Sequence, residues 1–240
     1  MEYTPAHILK REFVVAGCFY DLVQKDRTIP CRNVLEIYRF DYASKLDHDG
    51  SMFYGRPDAI FIMMNPGSSE PREPGYQIPR LSYKNLSEQL LKQRVVTAKP
   101  DTTQYQVMRL MKANGWNHVR VLNLSDIREA KSAAFIKQIK NMDSFIHSIF
   151  CPKRRRELDL ALDTRENAPI VCAWGISKDL LPLATLCKRT IPGDRVAGLS
   201  CEEPYLYYHP LPSLISKQKE WLKSMMDCLR ESQNGKEGET

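Results

Sequence analysis

Four places in the sequence set chemically capable side chains at the ends of short apolar runs. The run 59–62 enters Met63-Met64-Asn65-Pro66-Gly67-Ser68, so an asparagine amide stands where the chain leaves a buried segment. Asn-Pro-Gly makes a good turn by itself, because proline fixes φ and glycine accepts positive φ. At the mouth of a crevice the same amide could orient a water, with the N–H groups of the turn facing a ligand. Asn123 interrupts the apolar run VRVLNL. A buried asparagine needs hydrogen-bond partners; it either ties down a loop or presents a donor and an acceptor together, as reading the edge of a nucleobase requires. Trp174-Gly175 closes IVCAWG, as core or as a wall of a site. His209 follows the aromatic stretch 205–208 and enters Pro210-Leu211-Pro212-Ser213, a stiff loop. There the imidazole is either part of a surface turn or a donor held in place.

The elements that must position these residues can be read from periodicity. Runs 34–40, 59–64, 119–124 and 170–174 are short, apolar and rich in β-branched and aromatic residues, as buried strands are, and 205–208 adds a less regular fifth. Helical spacing covers 103–114, where Val107, Leu110 and Met111 share a face, and also 132–150, 178–187 and 213–230. This alternation predicts an α/β domain with three αβα layers and a short, mostly parallel central sheet. In such sheets functional groups gather at the carboxyl ends of the strands. One domain is expected over 1–230, with an N-terminal helix and strand in 1–57 and a motif-bearing core in 58–230. Phe13, Val14, Phe19 and Leu22 are expected to pack that first helix on the sheet. Residues 68–79 form a proline-rich loop, and the polar tail 231–240 is expected to be disordered.

Bulk properties narrow the class. With 240 residues, 42% hydrophobic and 27% charged, the chain can bury one sizeable core. No apolar run approaches the ~20 residues of a membrane-spanning helix, and the start lacks a signal-peptide core. The expectation is a cytoplasmic monomer with no membrane contact. A net charge of +6 suits a polyanionic partner without demanding one. The seven cysteines form no C-x-x-C pair, so reduced, mostly buried thiols are expected rather than a zinc ribbon or a disulfide framework.

Taken in order, Met64-Asn65-Pro66-Gly67, Leu122-Asn123, Trp174-Gly175 and His209-Pro210-Leu211-Pro212 resemble the four motifs of the uracil-DNA glycosylase superfamily. The likeness is strongest to the mismatch-specific and single-strand-selective branches, whose first motif contains N-P-G, and it spans roughly residues 58–230. Similar N-P motifs occur in a bacterial family of unknown function. Two positions depart from the pattern: Met64 stands near a usually small residue, and Leu211 replaces the serine of H-P-S-P. The clustered cysteines of the iron–sulfur branches are missing, so no cluster, metal or other cofactor is expected.

The resemblance implies a DNA glycosylase that flips out a pyrimidine and excises it, in base repair or in defence against phages with modified DNA. Asn65 and His209 would be catalytic, holding the water and donating to the departing base. Met64, Pro66, Gly67, Ser68, Asn123 and Trp174 would contact the base, with Asn123 reading its edge. Gly67 stands where a tyrosine walls off C5 in the uracil-strict branch, which implies tolerance of a 5-substituent. Leu211, Pro212, Ser213 and Leu214 would wedge into the stack, with Lys217 and Lys219 at the phosphates. Lys153, Arg154, Arg155 and Arg156 are either a solvated helix start or part of the DNA footprint. Two other readings stand beside this one: a same-fold hydrolase of a free nucleotide or nucleoside, and an inactive nucleic-acid-binding module.

Overall fold

The computed structural model describes residues 3–25, 27–46 and 50–237. After a short helix α1 (Ala6–Glu12), strands β1 (Phe13–Gln24) and β2 (Arg27–Arg39) form a long antiparallel hairpin, followed by a single turn α2 (Phe40–Ala43). Then come β3 (Ala59–Met63), β4 (Arg80–Ser82), α3 (Leu86–Leu90), β5 (Val96–Thr97), α4 (Thr102–Asn114) and β6 (His118–Asn123). The second half carries α5 (Ser132–Lys140), α6 (Arg155–Ala161), β7 (Ile170–Cys172), α7 (Leu181–Lys188), β8 (Val196–Ala197) and α8 (Ile215–Glu237).

The described strands form one eight-stranded sheet in the order β4-β1-β2-β6-β3-β7-β8, with β5 also on β1. The run β6-β3-β7-β8 is parallel, as expected. The other half is not: β1 pairs antiparallel with β2, and β2 with β6. The sheet is therefore mixed rather than mostly parallel, and longer than predicted. Residues 13–22 lie in a strand, not a helix. Their alternation is hidden because a bulge between Gly17 and Phe19 breaks the period of two, leaving Cys18, Phe19 and Tyr20 all buried in succession.

Helices cover both faces of the sheet. Along β3, Ile60 and Ile62 face a core shared with α3, α5, α6 and α7, while Ala59, Phe61 and Met63 face α1, α4 and α8. This alternation on a doubly covered sheet is why the strand reads as uniformly apolar. Helix α4 is well delimited by its sequence: Asp101 and Gln104 form a reciprocal capping box, and Gly115, at φ 68°, ends it.

Two further expectations need correction. Residues 205–208 form no strand; Tyr207 makes only isolated bridges to Gly175 and Ser200, and Tyr205 has a left-handed φ of 66° that interrupts an extended run. The tail expected to be disordered continues helix α8 as far as Glu237; residues 238–240 lie outside the described residues.

Candidate functional site

Strands β3 and β6 run parallel, so the loops leaving their carboxyl ends share one edge, and α4 begins there too. A cavity of about 140 Å³ opens at this edge, lined by residues 63–67, Asp101, Thr103 and Gln104 at the start of α4, His209, and Arg32 from β2. That is well below the ~300–1,000 Å³ of a typical drug-sized site; it suits a single small ring or a compact anion. The two residues expected to act together, Asn65 and His209, line it from different parts of the chain.

Both are held with one polar atom unused. Asn65 Nδ2 donates to the carbonyls of Ile127 (3.1 Å) and Glu129 (2.7 Å). These two bonds fix the amide, and Oδ1 is left as an acceptor with no partner among the described residues. For His209, the Leu211 N–H donates to Nδ1 at 3.2 Å, which assigns the ring proton to Nε2. Burial pulls the pKa of His209 down to about 4, and the ring atom that accepts from Leu211 is held unprotonated. The imidazole is neutral near pH 7 and presents an N–H donor.

The loop after His209 is fixed from beneath. Gln106 of α4 donates to Pro210 O (2.8 Å), Gln218 to Pro212 O (2.9 Å), and the Trp221 indole to Tyr208 O (3.1 Å). Beyond it Leu214 and Ile215, adjacent in the chain, are 64% and 62% exposed, the most exposed of the large hydrophobic residues described. Leu211 and Pro212 are half-buried and Ser213 is exposed. Lys217, bonded to Glu220 at 2.7 Å, lies with His209 along a neighbouring groove of about 900 Å³. Lys219 instead faces the Tyr3 ring in a separate hollow.

Several expected contacts are placed elsewhere. Met64, Pro66 and Gly67 line the cavity; Ser68 does not. Asn123 is wholly buried behind it. With its amide oriented to satisfy both neighbours, it donates to the Asn65 carbonyl (3.2 Å) and accepts from Arg32 Nη2 (3.1 Å). It therefore positions the site rather than reading a ligand. Trp174 is fully buried, donates to Tyr205 O and meets the Tyr207 ring edge-on at 5.1 Å; it is core. Arg154 is also wholly buried, bound to Asp126 and Glu157, which removes it from any surface footprint. Lys153, Arg155 and Arg156 are exposed, with Arg155 paired to Asp159.

The sequence reading missed Arg32 and Asp101. Arg32 is only 2% exposed, yet its Nε and Nη1 have no hydrogen-bond partner. Gly17 makes room for it: a Cβ there would stand 3.3 Å from Arg32 Cδ. Burial lowers the Arg32 pKa to about 10, with the charge of Asp101 opposing the shift, so the guanidinium stays cationic. Burial also raises the Asp101 carboxyl, against the Gln104 N–H and Arg32. The signal was present, since Arg32-Asn33 interrupts an apolar run as Asn123 does.

Compared with known proteins, the chain matches no protein-family profile, no curated protein and no solved structure. Among the described residues no helix is long and apolar enough to cross a membrane.

Proposed function

We propose that this chain is a DNA glycosylase of the uracil-DNA glycosylase type, acting on a pyrimidine extruded into the cavity beneath Asn65 and His209. One observation carries the reading. Two residues far apart in sequence line one small cavity, one with a free acceptor and the other with a free donor. Cleavage breaks the C1′–N1 bond, and its electron pair leaves on the base. Water forms the new bond to C1′, and its proton ends on the departing base. Asn65 Oδ1 accepts from that water and orients it. The neutral His209 donates from Nε2 to the base as charge develops there. Leu214 and Ile215 follow the His209 loop and are exposed, as an apolar wedge that fills the vacated stack would be.

Incubating modified-pyrimidine oligonucleotides with the protein, then treating them with alkali, tests this. Strand breaks at the modified base are expected, and Asn65→Ala or His209→Ala should slow their formation by about 10²- to 10³-fold with little change in thermal stability. Intact strands across all pyrimidines would defeat the proposal. The buried cation Arg32 also favours a second reading, hydrolysis of a free nucleotide through its phosphate; base release from mononucleotides but not from oligonucleotides would select it.

A further inference from the structure

The cavity holds a polarity that the water-holding asparagine and the donor histidine leave unused. Arg32 from β2 and Asp101 at the head of α4 both line it. Arg32 is 98% enclosed, given its 2% exposure, and makes one side-chain hydrogen bond, through Nη2 to Asn123. Its Nε and Nη1 are unpartnered. Asp101 commits Oδ1 to the Gln104 N–H at 2.8 Å, and its carboxylate also faces the Thr103 N–H, while Oδ2 stands beside Gly67, 3.9 Å from where a Cβ would lie. The two charges sense one another, yet among the described residues no ion pair of 4.0 Å or less joins them. A cation and an anion on one cavity that do not close on each other are arranged for something between them. A buried guanidinium without acceptors is costly, and a ligand edge that supplies them removes the cost.

We propose that Arg32 and Asp101 are the base-reading pair, and that the extruded base is a cytosine-type pyrimidine carrying a 4-amino group; this rests on the glycosylase reading. A guanidinium only donates and a carboxylate only accepts. A cytosine-type edge offers neighbouring acceptors, O2 and N3, and then an amino donor at C4. A uracil-type edge places an N–H between two carbonyls, so it sets a donor against the guanidinium. Arg32 takes the acceptor side and Asp101 Oδ2 the amino group. O2 and N3 are also the atoms over which the departing base spreads its negative charge, so the residue that reads the base stabilises its departure.

The test uses two oligonucleotides that share a 5-hydroxymethyl group and differ only in the base, cytosine-type or uracil-type. Excision is followed by alkali cleavage, and extrusion by the fluorescence of a neighbouring 2-aminopurine. The wild-type protein should favour the cytosine form by about ten-fold or more. Asp101→Asn retains the helix cap, since asparagine caps as well as aspartate. The cap holds Oδ1 as an oxygen, so the free atom becomes a donor, and the preference should vanish or reverse. Arg32→Gln should slow both substrates. A wild-type preference for the uracil form, or a preference unchanged by Asp101→Asn, overturns the pair while leaving a glycosylase. Selective extrusion of the cytosine form without cutting keeps the pair and overturns the glycosylase. Neither extrusion nor cutting overturns both.

Discussion

Two buried arginines differ in how fully their donors are used. Arg154 has every guanidinium nitrogen engaged: Nε and Nη2 on Glu157, Nη1 on Asp126 and the Ile146 carbonyl, and Nη2 also on Asn33. Arg32 is equally enclosed but bonds through Nη2 alone. The first spends its charge on joining α6 to the loop after β6. The second keeps two donors without a partner in a side chain that lines a cavity. Buried polar groups are normally satisfied, so the unpartnered donors of a side chain that lines a cavity are what the proposed base reading rests on. In the sequence Arg154 draws attention because it sits in a conspicuous basic run, either a solvated helix start or part of a DNA footprint, whereas Arg32 stands without an adjacent basic residue and is passed over.

The largest expected effect separates the two in stability. Arg154→Met leaves Asp126 and Glu157 as uncompensated buried charges, which should cost about 3–5 kcal/mol and lower Tm by roughly 6–20 °C. Arg32→Met removes a charge whose remaining donors have no partner; stability should stay within about 1 kcal/mol of wild type or rise. Calorimetry of both variants decides this. Equal destabilisation would mean that Arg32 is structural as well, and would break the contrast.

Leu214 and Ile215 sharpen the functional side of the same contrast. They make exposed contacts, so Leu214→Ala with Ile215→Ala should change folding stability by less than about 0.5 kcal/mol. If they fill a vacated stack, excision from duplex DNA should fall about ten-fold, and that from single strands much less, since unstacking there costs little. An equal loss on both substrates would place these residues outside base extrusion.

Part of the parallel half was legible because its longer elements carry their own period, although the helix expected over 132–150 stops at Lys140 and the short α6 and β8 were missed. Strand β3, α4 with its Asp101 and Gly115 limits, and β6 fall within a residue or two of their predicted ends. Of the hairpin only the run 34–40, the second half of β2, was legible. Its bulge scrambles the alternation, and pairing on both sides of β1 buries successive residues. The site was half legible for a related reason. Asn65 is a polar residue at a strand end, where function is sought, and His209 follows a run that reads as one, whereas Arg32 and Asp101 reach the cavity from the first half of β2 and from the N-cap of α4, which nothing in the sequence reading singled out. Asn123 and Trp174 show the converse: a residue in a motif can serve the wall behind a site.

The depressed pKa of His209 gives a smaller, sharper expectation. An ordinary histidine titrates near 6.5; this one is held neutral down to about 4. Activity that depends on the Nε2–H of a neutral ring should stay flat from pH 8 to pH 5 and fall only as the pH approaches 4. The sign for stability follows, because the unfolded chain takes the proton more readily. The contribution of His209 is whole above pH 6.5 and is lost as pH falls toward 4. A rate profile with its inflection near 6.5 would show a solvated imidazole and remove the fixed donor.

The smallest effect concerns the remaining basic residues. With Arg154 internal, the run at 153–156 keeps three solvent-facing cations, and Arg155 already answers Asp159 at 2.8 Å. Each phosphate contact adds close to one unit to the slope of log K against log salt. Lys153→Ala with Arg156→Ala should therefore lower that slope by about two if α6 joins the DNA footprint, and Lys217→Ala by about one or less, since Lys217 is shared with Glu220. Titrating oligonucleotide binding between low and moderate salt reads both. A slope that responds only to Lys217 would confine the footprint to the His209 side and leave the whole Arg154 region, inside and out, to holding the fold.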